Sequence, residues 1–180
     1  MKNPANKIVL ITGGARSGKS TYAQQLASME DSHVLYCATA EALDDEMQAR
    51  IEAHRRSRPS GWDTLEATCN IAQELNKLCP QYDVVLIDCI TMLVSNCMGD
   101  GLLPEQSEER ALTEIASLIQ LMVGKDCNYI LVTNEVGYGV VPGNPLARLY
   151  RDVLGKANQQ LAACADEVYL MTAGLSLKIK

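Results

Sequence analysis

The sequence predicts an α/β fold in which a mainly parallel β-sheet carries helices on both faces and ends in an antiparallel hairpin. Short apolar runs rich in β-branched residues alternate with longer amphipathic stretches. A glycine-rich segment directly follows the first apolar run. Two strand-like segments flank Ala173 and Gly174, as expected for a hairpin. Because the 180 residues contain no internal repeat, low-complexity segment or linker, we expect one domain.

Composition narrows the class of protein. The formal net charge is -6 and the pI is about 4.9, whereas proteins that bind nucleic acid nonspecifically are more often basic. No apolar run is long enough to span a bilayer, and the segment before the first strand lacks the plan of a signal peptide. The 7 cysteines form no C-x-x-C pair, so neither a zinc site nor a disulfide framework is indicated. We therefore expect a cytoplasmic protein with reduced thiols, without nucleic-acid partners.

The first strand, predicted at residues 8–11, leads into a segment that fits the phosphate-binding pattern G-x-x-x-x-G-K-[ST], called Walker A. A helix predicted over residues 21–29 follows it. Glycines let backbone N–H groups turn toward phosphate oxygens, and a helix N-terminus adds partial positive charge. We expect the loop to face the solvent, Lys19 to bridge the β- and γ-phosphates, and Ser20 to offer its hydroxyl to Mg²⁺. The motif thus predicts phosphate contacts from Gly13, Gly14, Gly18 and Lys19, and a metal contact from Ser20.

The second strand is predicted at residues 33–38, with Thr39 and Ala40 at its carboxyl end. In open α/β sheets this is the edge at which ligands bind. An amphipathic helix is predicted over residues 41–57. Its inward face is expected to carry Leu43, Met47 and Ile51.

The end of this helix is basic. Pro59 stops the helix after a cluster of one histidine and three arginines. Cationic side chains at a helix C-terminus complement the helix dipole, and that alone explains many such clusters. Arginine also suits phosphate recognition by its geometry and permanent charge. Both interpretations stay open for the residues concerned, which are His54, Arg55, Arg56 and Arg58.

An apolar strand predicted at residues 83–88 ends in Asp88. This pattern is typical of Walker B, whose carboxylate holds Mg²⁺ directly or through water. Before it, residues 60–66 are predicted as a connection and residues 67–78 as a helix. After it, residues 90–97 are predicted as a helix or loop.

The second half of the chain continues the alternation. An exposed loop is predicted at residues 98–108, then a helix at residues 109–123. The fourth strand, at residues 129–133, runs into the sequence NEVGYGVVP, whose polar and glycine residues indicate an active-site loop, although an ordinary turn fits as well. Residues 145–164 are predicted as a long helix, with the hairpin strands at 167–171 and 175–180. The residues of this helix that we expect to face the core are Leu146, Leu149, Val153, Ala157 and Leu161.

Long stretches of the sequence resemble one enzyme family. They are ITGGARSGKSTYA, LYCATAEALDDEMQARIEAHRRSRPSGWDTLE, VVLIDCITMLVSN, LVTNEVGYGVVP, LARLYRDVLGKANQQLAACADEVYL and GLSLKIK. The first alone would be a generic phosphate-binding loop, whereas the second and fourth together are not generic. With these stretches, the sequence resembles the bifunctional adenosylcobinamide kinase/adenosylcobinamide-phosphate guanylyltransferase family of cobalamin synthesis over almost its whole length.

The resemblance implies a RecA-like P-loop NTPase fold, a propeller-shaped homotrimer and two reactions. In the first, a nucleoside triphosphate, ATP or GTP, phosphorylates the aminopropanol hydroxyl of adenosylcobinamide. In the second, GTP donates GMP to that phosphate through a guanylylated histidine, giving adenosylcobinamide-GDP and pyrophosphate. Mg²⁺ is the implied cofactor.

The resemblance also implies roles for individual residues. His54 matches the histidine that carries GMP, and because Ala53 precedes it, the pair of adjacent histidines found in some relatives is reduced here to one. The implied catalytic residues are His54 and Lys19, and the implied metal residues are Ser20 and Asp88. The implied nucleotide contacts are Gly13, Gly14, Ala15, Arg16, Ser17, Gly18, Lys19 and Ser20 of the glycine-rich loop, and Ala38, Thr39, Ala40, Arg55, Arg56, Ser57, Arg58, Glu66 and Asp88 beyond it.

Some alternatives stay open from the sequence. A single-activity small-molecule kinase would use the same loop, with His54 only ending a helix. A regulatory or assembly ATPase would use it for a conformational output, although the compact length disfavours that function. Glu135 and Asp88 are both candidates for the base that takes the proton of the corrinoid hydroxyl.

Overall fold

The computed structural model describes residues 7–28, 32–42, 44–78, 81–99 and 101–180, without the side chains of Arg50 and Ser57. Strands and helices alternate through most of the described chain. In chain order they are β1 (Ile8–Gly13), α1 (Lys19–Ala27), β2 (Val34–Ala38), α2 (Asp45–Ser57), β3 (Asp63–Glu66), α3 (Ile71–Leu78), β4 (Val84–Asp88), α4 (Ile90–Met98), α5 (Pro104–Gly124), β5 (Asn128–Val132), α6 (Pro145–Cys164), β6 (Glu167–Thr172) and β7 (Leu175–Lys178).

The described strands form one 7-stranded sheet in the order β3-β2-β4-β5-β1-β6-β7. All neighbours are parallel except the last pair, β6 and β7. The strand β1 is internal, with β5 on one side and β6 on the other. The carboxyl ends of the parallel strands therefore meet at one edge, where the glycine-rich loop begins.

Two apolar layers enclose this sheet. Along β1, Ile8 and Leu10 belong to the cluster that includes residues of α3, α4, α5 and α6. The alternate residues Val9 and Ile11 belong to a second cluster, which includes Ala23 and residues of the sheet's other face. This alternation explains why the strands appear as continuous apolar runs in the sequence, since both of their faces are buried. The predicted α/β fold with a terminal antiparallel hairpin is confirmed.

Several predicted boundaries were wrong. The predicted connection at residues 60–66 contains the strand β3, and α3 begins at Ile71 instead of residue 67. The predicted loop at residues 98–108 ends early, because α5 begins at Pro104. Proline suits the first turn of a helix, where its missing N–H has no partner to lose. The backbone N–H of Leu103 donates to the side-chain oxygen of Gln106 at 3.2 Å, and this hydrogen bond caps the N-terminus of α5.

The long helix α6 has the predicted bounds, but one of its predicted inward residues is outside the core. Leu146 is 61% exposed, because it lies in the first turn, before the helix reaches the sheet. The predicted end of α1 at Met29 and the predicted inward residue Leu43 fall outside the described residues. The open choice for residues 90–97 is decided in favour of a helix, α4.

Two further findings concern the helices and the cysteines of the described chain. None of its helices combines the length and the apolar character needed to cross a bilayer. The described cysteines form no disulfide with one another, and three of them, Cys37, Cys97 and Cys127, are buried. Such cysteines pack as small apolar side chains.

Candidate active site

A cleft of about 1050 Å³ lies at the carboxyl edge of the sheet, between the glycine-rich loop and α2. It brings together residues that are far apart in sequence: the loop, the end of β4 and the basic end of α2. The predicted site residues that line it are Ala15, Arg16, Ser17, Gly18, Lys19, Ser20, Ala38, Ala40, His54, Arg55, Arg58, Glu66 and Asp88.

The glycine-rich loop is held in place by a contact with the turn between β6 and β7. The backbone N–H of Gly174 donates to the carbonyl of Ser17 at 3.1 Å. Gly18 has φ +95, and a Cβ built there would lie 3.2 Å from the Cα of Gly174. A side chain at residue 18 would therefore suffer both strain and crowding, which explains the requirement for glycine at the start of α1.

Lys19 is buried, although we expected its loop to face the solvent. It is 7% exposed, and its ammonium donates to the carbonyl of Gly14 at 2.6 Å. The hydroxyl of Ser17 is 3.5 Å from the same nitrogen. A buried cation needs such polar partners, and the loop supplies them by closing around the side chain. The ammonium is thus held inside the loop that the motif assigns to phosphates.

Asp88 ends β4 and is half-buried in the cleft. The hydroxyl of Tyr36 donates to its Oδ2 at 2.9 Å. Burial of the phenol, followed by the negative charge of Asp88, raises the pKa of Tyr36 far above its ordinary value. The hydroxyl therefore serves as a hydrogen-bond donor to Asp88.

Arg58 contacts the aromatic ring of Tyr36. Its guanidinium carbon is 3.8 Å from the centroid of the Tyr36 ring, and the ring of Trp62 stacks at 6.5 Å between centroids. Nη1 of Arg58 donates to the hydroxyl of Thr64 at 3.4 Å. Its buried Nε has no hydrogen-bond partner among the described residues. Arg58 thus lines the cleft while one of its donors is buried without a hydrogen bond.

The helix α2 carries His54 into the cleft. It begins after Asp44, whose side chain accepts the backbone N–H of Met47 at 2.7 Å. In its last turn His54 is half-buried and lines the cleft. Arg55 forms an ion pair with Glu66, which ends β3. This pair ties the basic end of α2 to the edge of the sheet.

Not every predicted contact lies in the cleft. Thr39 is fully buried, and its hydroxyl donates to the carbonyl of Cys89 at 2.7 Å while accepting the Cys89 N–H at 2.9 Å. Arg56 pairs with Glu52 at 3.2 Å, with its side chain 79% exposed. The side chain of Ser57 lies outside the described part. Gly13 and Gly14 belong to the loop but do not line the cleft.

Glu135 adjoins the loop without lining the cleft. Its N–H donates to the carbonyl of Gly13 at 3.0 Å. Its carboxylate accepts the N–H of Gly137 at 2.6 Å. The side chain thus shapes the loop that follows β5, while Asp88, the other candidate base, lies inside the cleft.

Sequence reasoning missed several lining residues. They are Thr21, Tyr36, Glu41, Ala42, Met47, Gln48, Ile51, Ala53, Ala67, Thr68, Cys69, Cys89, Met92, Val132 and Asn134. A signal existed for Tyr36, because residues two apart on a strand share a face and Ala38 had been assigned. Most of the others come from the ends of elements, where the sequence gives no measure of distance to the loop.

The donor set of the cleft suits Mg²⁺. The hydroxyl of Ser20 and the carboxylate of Asp88 are hard oxygen donors lining the same space. The described residues contain no group of three or more His, Cys, Asp and Glu side chains able to hold a metal. Mg²⁺ bound by few protein oxygens usually completes its coordination with water and substrate phosphates. The residues present therefore fit this ion together with a nucleotide.

A family model described as cobinamide kinase / cobinamide phosphate guanyltransferase matches residues 9–179. The chain belongs to this family. The bifunctional adenosylcobalamin biosynthesis protein CobU of Escherichia coli strain K12 is 44% identical over 181 residues, covering 96% of this chain and 99% of the relative. CobU of Salmonella typhimurium strain LT2 gives the same identity and coverage. CobP of Pseudomonas aeruginosa strain PAO1, with the same description, is 39% identical, covering 95% of this chain and 96% of the relative.

These matches confirm the predicted membership of the cobinamide kinase / guanyltransferase family. They also confirm the predicted class of enzyme, because the family name states both a kinase and a guanyltransferase activity. They extend over nearly the whole chain, so the family covers the loop, the cleft and the hairpin alike.

Proposed function

We propose that this protein phosphorylates adenosylcobinamide with a nucleoside triphosphate and then transfers GMP from GTP to the resulting phosphate through a guanylylated His54. The observation that carries the proposal is the shared cleft, which is lined by the Walker A loop, Asp88 and His54. A cleft built for phosphate alone would not need a nucleophilic side chain in its wall.

In the kinase step, the hydroxyl oxygen of the corrinoid side chain attacks the γ-phosphorus, and the bond to the bridging oxygen of the β-phosphate breaks. The nucleoside diphosphate leaves. Negative charge on the phosphate oxygens is stabilised by Lys19 and by the backbone N–H groups of the loop. The hydroxyl proton passes to a base, for which Asp88 and Glu135 are the candidates.

In the transfer step, an imidazole nitrogen of His54 attacks the α-phosphorus of GTP and pyrophosphate leaves. The product is a phosphoramidate, with GMP bonded to the histidine. A phosphate oxygen of adenosylcobinamide phosphate then attacks the same phosphorus, and the P–N bond breaks. Arg55 and Arg58, which line the cleft beside His54, are suited to stabilise the charge on the phosphate.

When bound, Mg²⁺ supplies charge neutralisation at the triphosphate and orients the leaving group. Ser20 and Asp88 would hold it, the first by its hydroxyl and the second by its carboxylate. The loop residues that contact phosphate would bind the same triphosphate, so nucleotide and cation would be ordered together.

The decisive experiment looks for the covalent intermediate without a corrinoid. Protein, Mg²⁺ and GTP labelled at the α-phosphate are mixed, and the protein is denatured and examined for bound label. We expect label that survives base and is lost in acid, which is the behaviour of a phosphoramidate and not of trapped GTP. His54→Ala should abolish both the adduct and guanylyl transfer while keeping at least part of the kinase activity.

His33→Ala is the matched control, because His33 and His54 are the 2 histidines of the sequence. His33 contacts Gln81 and Asp63 at the amino ends of the strands, outside the cleft. Label that persists on His54→Ala would assign the nucleophile elsewhere. An unlabelled wild-type protein that still phosphorylates the corrinoid would select the single-activity kinase.

We further infer a homotrimer whose sites lie near subunit boundaries, and a cytoplasmic location. The trimer is supported by the family to which the chain belongs, and the location by described cysteines that form no disulfide, which suits a reducing compartment.

A further inference from the structure

We propose that Tyr36 is a positioning residue for the metal-binding carboxylate: its hydroxyl fixes the orientation of Asp88 and thereby strengthens binding of the Mg²⁺–nucleotide complex. The inference rests on the proposed function, because it concerns the same cleft. It assigns a role to a residue that neither the Walker patterns nor the basic helix end includes.

The register of the sheet explains why Tyr36 reaches Asp88. Strands β2 and β4 are parallel neighbours in which Ala38 lies opposite Asp88 and Tyr36 lies opposite Leu86. Tyr36 is thus two residues before the end of its strand, on the face that Ala38 shares. Its long side chain extends along the sheet and places the hydroxyl 2.9 Å from Oδ2 of Asp88.

The phenol is held rigidly. Tyr36 is 2% exposed and packs in the apolar cluster with Ala23 of α1 and Leu86 of β4. The guanidinium of Arg58 covers its ring at 3.8 Å from the centroid, a favourable cation–π distance. A donor fixed by burial and by this contact with Arg58 restricts the carboxylate that it bonds.

This restriction matters for a carboxylate that binds a metal. Hydrogen bonds to ligating carboxylates orient them, and loss of such a bond commonly costs about tenfold or more in metal affinity. With Oδ2 engaged by the phenol, Asp88 has a defined orientation in which Oδ1 is available to a cation or to its water. Without the phenol, the carboxylate would rotate about its terminal torsion, which is soft.

The same tyrosine also belongs to the core, so the test must separate positioning from packing. Tyr36→Phe removes the hydroxyl and keeps the ring. GTP affinity is measured by calorimetry with Mg²⁺ and then with a chelator, in both cases without a corrinoid. We expect the gain in affinity on adding Mg²⁺ to fall about fivefold to tenfold, with the chelator value and the circular dichroism melting temperature close to those of the wild type.

Tyr169→Phe is the matched control. Its hydroxyl donates to the carboxylate of Glu167 at 2.9 Å, the same chemistry outside the cleft. This variant should leave the Mg²⁺-dependent gain unchanged. A second measurement uses Asp88→Asn as background: adding Tyr36→Phe there should cause no further loss, because the group that the hydroxyl positions has been altered.

The outcomes separate the two levels of inference. A wild-type protein that binds no GTP would overturn the proposed function itself. A wild type with a clear Mg²⁺-dependent gain that Tyr36→Phe retains in full would overturn the positioning role alone. An equal loss from Tyr36→Phe in the wild-type and Asp88→Asn backgrounds would also overturn it, since the effect would then arise from packing.

Discussion

A Cβ built on Gly13 would lie 2.4 Å from the carbonyl oxygen of Met171, in the neighbouring strand β6. Gly13 also has φ +149, a conformation that side chains rarely adopt. The last residue of β1 thus has no room for any side chain, and the obstacle is backbone that cannot rotate away.

Gly13→Ala should therefore destabilise the protein by about 3 kcal/mol, through strain and displacement of the loop. Urea unfolding followed by circular dichroism measures the change. Gly155→Ala in α6 is the control, since a Cβ at residue 155 meets nothing within 4 Å, and alanine favours a helix over glycine. Equal stability of the two variants would show that the backbone of β1 or β6 can move to accommodate a side chain at residue 13.

Lys19→Ala should lower kcat/KM of both reactions by about a hundredfold or more, because the cation that meets the triphosphate is lost. Since Lys19 is buried and bonded to Gly14, we also expect a modest fall in melting temperature. Steady-state rates with GTP and corrinoid measure the first effect. Lys77→Ala, which removes an exposed lysine paired with Glu74, should change neither rate. Near-wild-type rates in folded Lys19→Ala would refute its role.

An acid-sensitive contact joins the hairpin to β1. Oε1 of Glu167 lies 2.9 Å from the ammonium of Lys7 and 2.5 Å from that of Lys178, with the glutamate side chain 19% exposed. Hydrogen bonding from Lys178, then from Lys7, lowers the pKa of Glu167 from 4.5 to about 2. Because the folded-state pKa lies below the unfolded one, this contact stabilises the protein above pH 4.5 and loses its effect as the pH falls toward 2.

Glu167→Gln should accordingly lower the free energy of unfolding at pH 7 by about 1 kcal/mol, a modest value because both lysines are half exposed. The difference from the wild type should shrink between pH 4.5 and 2. Denaturant unfolding over this pH range tests it, with Glu109→Gln, an exposed residue of α5, as the control. A difference that is constant with pH would show that the carboxylate charge is not the cause.

We expect light scattering to give three times the mass of one chain at assay concentration. The edge strand β7 exposes Leu175 and Leu177, and Ile179 follows on the same face. Exposed aliphatic rows on a free sheet edge favour association. A fully active monomer would contradict the trimer, and a dilution series that tracks mass and activity together distinguishes the two cases.

The sequence predicted the parts of the fold that follow strong local rules. The Walker A segment and α6 were identified because a motif and a long apolar period each leave little choice. The strand β3 was missed because its 4 residues are mostly exposed, so they lack the apolar run that indicates a buried strand. The start of α5 was missed because Pro104 was interpreted as part of a loop, although proline also begins helices.

The phosphate-binding loop of the candidate site could be predicted, because its motif is contiguous in sequence. Contacts between side chains of neighbouring strands could not be predicted as well. Thr39 stays a predicted nucleotide contact, and the sequence did not indicate that its hydroxyl would be hydrogen-bonded to the backbone of Cys89. Tyr36 was overlooked because an aromatic residue inside a strand usually indicates core. Its contact with Asp88 depends on the pairing of β2 with β4, which the sequence does not state.

The internal position of β1 also has a consequence for biosynthesis. The backbone N–H of Lys7 donates to the side chain of Asn128, 121 positions later in the sequence. The backbone N–H of Ile8 donates to the side chain of Asp166, 158 positions later. At ordinary translation rates the ribosome needs on the order of ten seconds to make the first of these partners after β1 has emerged. During that interval the nascent chain contains the complete Walker A sequence without the strands and turn that shape it. We therefore expect the chain to acquire nucleotide binding late in synthesis, since β1 lacks both of its partner strands until then.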